Sequence, residues 1–148
     1  MKPTIRLYNR QRGHRPDLPW LRRVIRRALP DCLAAVKSAE APLAGLEEIE
    51  ITLIDDPEIG RVHADFLGDP EPTDVITFHH GEILISADTA VRQAAEQGET
   101  PDRELALYAV HGLLHLAGWE DHDPDEAAAM AGRQALILAA AVEGAKNG

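Results

Sequence analysis

The segment Thr100 to His122, TPDRELALYAVHGLLHLAGWEDH, constrains this chain more than any other. Thr100 and Pro101 open a helix, and Asp102 and Glu104 complement the positive end of its dipole. The spacing predicts that this helix runs to Leu116 and stops at Gly118. His111 and His115 are four residues apart, so their rings project from one face with Cβ atoms roughly 6 Å apart. Two ligands of a tetrahedral zinc need that spacing. Gly118 allows a positive φ, so the chain can fold back and bring His122 toward the same point. Three neutral imidazoles with a fourth position left for water describe a catalytic zinc site rather than a closed structural one. We therefore expect one Zn2+ per chain. Gly112 stands where zinc proteases with this helix arrangement carry a glutamate general base, so peptidase chemistry by that residue is excluded.

The rest of the chain reads as alternating strands and helices. Strands are expected at Thr4 to Tyr8, Glu48 to Ile54, Asp74 to Phe78 and Glu82 to Ser86. The Ile83-Leu84-Ile85 run suggests a strand buried on both faces. Asp17 caps a first helix with Pro19 in its first turn, and Leu21, Val24, Ile25, Ala28 and Leu29 form its apolar stripe. Pro30 is expected to kink or restart that helix, with Leu33 to Lys37 as a possible continuation. Further helices are expected over Glu58 to Leu67, Asp88 to Gln97, and Asp123 to Val142 with Pro124 at its first position. Pro42 to Gly45 and Gly68 to Pro72 read as loops, and His79-His80-Gly81 as a turn. The expectation is one α+β domain over residues 1–148, a small mixed four-stranded sheet packed with about five helices, with a frayed tail from about residue 143.

Charge is unevenly distributed. Residues 1–30 hold nine of the fifteen basic residues and a single acid, Asp17, for a net charge of +8. The remaining residues hold six bases and 24 acids, a net charge of −18. Such polarity suggests an anionic partner at one end of the molecule. Arg22, Arg23, Arg26 and Arg27 face away from the apolar stripe and are candidate contacts to such a partner. Cys32 has no partner for a disulfide within the chain, as expected of a buried thiol in a reducing compartment. No signal-like apolar region opens the sequence, and nowhere do about 18 apolar residues run together. A cytoplasmic location without membrane contact is expected.

Two motifs in order, PTDVITF (Pro72 to Phe78) followed by Gly81-Glu82-Ile83, and then HGLLHLAGWEDH (His111 to His122), carry a family resemblance. The chain resembles the YbeY family, zinc-dependent endoribonucleases that act in 16S ribosomal RNA 3′-end maturation and ribosome quality control. The likeness spans roughly residues 46–123, where family members show PTDVLSF, GDI and HGxLHLxGYDH. It implies zinc ligation by His111, His115 and His122 and an RNA-facing cleft around Thr73 to Phe78. His63, Thr73 and Asp74 are then the candidate catalytic residues, and ribosomal RNA and the small ribosomal subunit the implied partners. Two departures stand out. The segment between Gly118 and His122 is one residue longer than the family pattern, so Asp121 occupies the usual ligand offset and is the alternative third ligand. The Asn and Arg that the family carries before the strand loop read His63 and Leu67 here. A leucine cannot bind phosphate, so that role passes to Arg61, His63 or the amino-terminal arginines, or is vacant. His79 and His80 are further acid–base candidates. Two other readings stay open: a zinc-stabilised assembly factor that binds ribosomal RNA without cutting it, and a zinc hydrolase of another substrate class.

Overall fold

The computed structural model of the protein describes residues 2–68 and 73–146. Apolar, largely β-branched runs build a mixed sheet from β1 (Thr4–Asn9), β2 (Glu48–Ile54), β3 (Val75–Thr77) and β4 (Glu82–Ser86), in the order β1-β2-β4-β3. β1, β2 and β4 run parallel, and β3 pairs antiparallel with β4 at the edge. Ile83, Leu84 and Ile85 of β4 are all buried, as a strand covered on both faces requires. The turn from β3 to β4 passes through Gly81, whose φ is 109° and where a Cβ would lie 2.8 Å from the carbonyl oxygen of Glu48. Only glycine fits there.

Among the described residues four α-helices pack on the sheet, α1 (Leu18–Ala34), α2 (Asp56–Leu67), α3 (Ala87–Gln97) and α4 (Pro101–Leu116), and a fifth, α5 (Pro124–Ala145), packs on α1 and α4. Each begins at a side-chain cap. Asp17, Asp55, Ser86, Thr100 and Asp123 accept from the backbone N–H three residues further on, each cap contributing about 1 kcal/mol. α4 is the central helix and packs against α1, α3, α5, β3 and β4. Leu105, Leu113, Leu114 and Leu116 on it are at most 1% exposed, and each such burial stabilises by about 1.5–3 kcal/mol.

The structure departs from expectation at four helix boundaries, the first being the start of α2, which lies at Asp56 rather than Glu58 because Asp55 is its cap. α1 passes through Pro30 unbroken and ends at its cap residue Ala35, short of Lys37. Pro30 is exposed, while Leu29 and Cys32 beside it are buried, so packing on both sides holds the helix across the missing N–H. α3 starts at Ala87 because Ser86 is its cap. α5 continues past Val142 to Ala145. Residues 147–148 of the expected tail and 69–72 of the expected loop lie outside the described residues. Burial and Asp31 push the Cys32 thiol up to about 12, which leaves it unreactive. Among the described residues no helix is long and apolar enough to cross a membrane.

Candidate metal centre

The carboxyl end of α4 meets the edge strand β3 at Gly112. A Cβ there would lie 2.9 Å from Cδ1 and Cγ2 of Ile83 and 3.1 Å from Oγ1 of Thr77. The position therefore has no room for a glutamate base. Close approach of helix to sheet brings His111 and His115 into the lining of a cleft of about 530 Å³, together with His63 of α2 and Thr73 to His79 around β3.

Beyond α4, Gly118 takes φ 98° and the chain folds back as expected. The backbone carbonyl of Trp119 then lies 3.0 Å from Nδ1 of His115. A carbonyl only accepts, so that nitrogen carries the proton and Nε2 of His115 is bare. Nδ1 of His111 likewise donates to Oε1 of Gln134 on α5, at 2.7 Å. The two bare Nε2 atoms face each other at 3.0 Å. Oδ2 of Asp121 lies 3.6 Å from one and 3.9 Å from the other.

Two lone pairs and a carboxylate converging without a proton between them repel unless a cation joins them. A shared proton fits poorly on His115, whose pKa is lowered by burial first and by the neighbouring His111 second. A metal fits well. Ligands held tetrahedrally at 2.0–2.1 Å lie about 3.3 Å apart, and the ligand atoms of His111, His115 and Asp121 all fall within 4.8 Å of one another.

His122 stands apart from this group. Its ring is three-quarters exposed and its Nε2 lies 3.0 Å from Oε2 of Glu120, although it still lines the cleft. The extra residue after Gly118 is the physical reason. Once Trp119 is fixed by its carbonyl to His115 and by its indole N–H to the carbonyl of Ala35, 2.9 Å away, the carboxylate of Asp121 reaches the histidines and His122 points past them.

Of the other candidates, His63, Thr73, Asp74 and His79 all line the cleft. Asp74 uses Oδ1 to accept from the backbone N–H of Val75, at 2.8 Å, which turns the chain into β3. His80 is exposed and lies 3.8 Å from Glu82. Arg22, Arg23, Arg26, Arg27 and Arg61 do not line the cleft. The first two are half-buried and the other three exposed. The side chain of Leu67 lies outside what the structure describes. Gln134 and the Trp119 carbonyl, which orient the histidines, went unread in the sequence. Gln134 is 23 residues from His111 and carries no motif.

Fold and site together define an α+β protein with a histidine-based candidate metal centre at the end of its central helix. A family profile described as Endoribonuclease YbeY matches residues 8–142. A protein named Endoribonuclease YbeY from Gloeobacter violaceus is 42% identical over 67% of this chain and 59% of its own length. Namesakes from Moorella thermoacetica and Symbiobacterium thermophilum are 42% and 35% identical, over 72% and 80% of this chain and 80% and 83% of theirs. The chain thus spans about three-fifths of the first relative's length and about four-fifths of the other two. The solution structure of a Thermotoga maritima protein shares the fold, with a TM-score of 0.60 at 24% identity over 95% of this chain and 90% of that one. The chain belongs to the Endoribonuclease YbeY family.

Proposed function

We propose that this chain is a zinc-dependent endoribonuclease that cuts single-stranded RNA by hydrolysis. The observation that carries this reading is the convergence of two bare imidazole nitrogens and a carboxylate in the lining of a cleft. His111 and His115 would hold the metal, with Asp121 as third ligand in the conformation described. When bound, zinc supplies a Lewis acid that polarises a phosphoryl oxygen and acidifies water.

The protein's own residues do the rest. Gln134 and the Trp119 carbonyl keep both histidines in the ligating tautomer. His63 and Thr73, which also line the cleft, would hydrogen-bond phosphate oxygens. With Gly112 in the proteases' glutamate position, proton transfer would fall to histidines that line the cleft, His63 and His79. The family relationship supports 16S ribosomal RNA as substrate, the small ribosomal subunit as partner and the cytoplasm as the place of action. The test is cleavage of a single-stranded 16S 3′-end fragment by protein stripped with chelator and then reloaded. Cutting that disappears on stripping, returns with zinc and is absent in His111→Ala supports the reading. Stoichiometric binding without turnover in the reloaded protein would replace it with a non-catalytic assembly role.

A further inference from the structure

Beside the cleft lies a row of three rings whose two outer members, Phe66 and His80, are exposed. Phe66, in the last turn of α2, is 68% exposed. Its ring meets that of Phe78 edge to face, with centroids 5.5 Å apart and planes at 75°. Phe78 in turn stacks on His80, at 5.4 Å and 15°. Phe78 also lines the cleft, as does His63, and Phe66 follows His63 by three residues, so both lie on one face of α2. A single exposed apolar side chain is ordinary. A ladder of three rings opening beside a reactive cleft is a surface prepared for a flat ligand.

Charge says which ligand property is used here. Among the described residues, neither lysine nor arginine lines the cleft, while Asp74, Glu120 and Asp121 do. Apart from a bound metal, the side chains lining the cleft therefore offer a polyanion no Coulomb attraction. Stacking can hold one, because every base presents a π-face and the interaction needs no charge. We propose that Phe66, backed by Phe78, forms a stacking subsite for an unpaired base of the RNA next to the phosphate in the cleft. This rests on the reading of the cleft as an RNA-hydrolysing site. A base inside a duplex is already stacked on its neighbours, so the subsite also selects single strands.

Binding is measured without cleavage, in chelator, with a short single-stranded RNA and with the same RNA made abasic at successive positions. Phe66→Ala should weaken binding about 5- to 100-fold, Phe66→Tyr should bind as the parent does, and the melting temperature of both should stay unchanged. The Phe66→Trp protein should show fluorescence quenching beyond that of the parent, lost when one particular base is removed. Wild-type affinity in Phe66→Ala overturns the subsite, as does a Phe66→Trp signal indifferent to every oligonucleotide, which would leave the face to a protein partner. Quenching and weakened binding in a protein that cuts no RNA when reloaded with zinc would keep the subsite and remove only the hydrolytic reading.

Discussion

A histidine ligates through the nitrogen that carries no proton, so the partner of its other nitrogen decides whether it is ready. Gln134 is that partner for His111, at 2.7 Å. Gln134→Ala frees the ring to rotate and to exchange tautomers, and zinc affinity should fall about 10- to 100-fold. Gln134→Glu keeps an acceptor and should retain the metal. A chelator competition titration reads both, and unchanged affinity in the alanine variant would deny Gln134 its orienting part. The third ligand is decided by the same titration. Asp121→Asn should cost at least as much as losing an orienting partner, about 100-fold or more, whereas His122→Ala should cost little because its ring pairs with Glu120. The reverse order would restore the three-histidine site. Here the sequence was legible only to a point. The four-residue spacing and Gly118 located the two histidines that converge and the fold-back, but which of two adjacent residues joins them depends on how the Trp119 carbonyl and indole anchor the turn.

At the scale of elements, α2 and α3 are joined at their starts by one carboxylate. Asp56 accepts from Oγ of Ser86 at 2.6 Å, Oγ1 of Thr89 at 3.1 Å and Nη1 of Arg92 at 2.7 Å. Burial pushes its pKa up, but the bonds from Ser86, Arg92 and Thr89 outweigh this and leave it below the ordinary carboxylate value. Asp56→Ala should therefore lower stability by about 1–3 kcal/mol near neutral pH. A group with a depressed folded pKa contributes above its unfolded value, near 3.8, and loses that contribution as pH falls through the folded one. Denaturant melts of the two proteins should thus draw together below about pH 4. A gap that persists in acid would mean that packing, not the carboxylate, had been removed. The helices themselves were legible because caps and prolines punctuate them: Asp17, Thr100 and Asp123 stand where the structure begins α1, α4 and α5. The clamp was not, since Asp56 and Ser86 are 30 residues apart. Nor was the aromatic ladder, which forms only when the end of α2 is laid across the β3–β4 turn.

Across the whole molecule, the amino-terminal charge and the cleft are separate features joined at one place. Arg6 pairs with Glu48 and Arg10 with Glu58, so the positive end is weaker than its +8 suggests. Arg27 packs over α5, where a Cβ on Gly144 would lie 3.1 Å from its Nη1. The link to the cleft is the end of α1, where Nζ of Lys37 sits 3.9 Å above the Trp119 ring and Ala35 accepts the indole N–H. Arg26 and Arg27 lie about two turns earlier, roughly 12 Å along the helix axis. On the proposed reading of the cleft, an RNA only a few nucleotides long would not reach them, and a longer strand would continue over Lys37 onto α1. Arg26→Glu combined with Arg27→Glu should therefore leave a tetranucleotide's affinity unchanged and weaken a long single strand. The slope of log affinity against log salt for the long strand should become shallower by about 0.7 for each phosphate that is no longer neutralised. The weakening should be alike for all sequences, because phosphate contacts carry no base information. Both residues are exposed, so the melting temperature should hold. If it falls while the salt slope stays the same, the arginines serve α1–α5 packing, and long RNA reaches the cleft by another face.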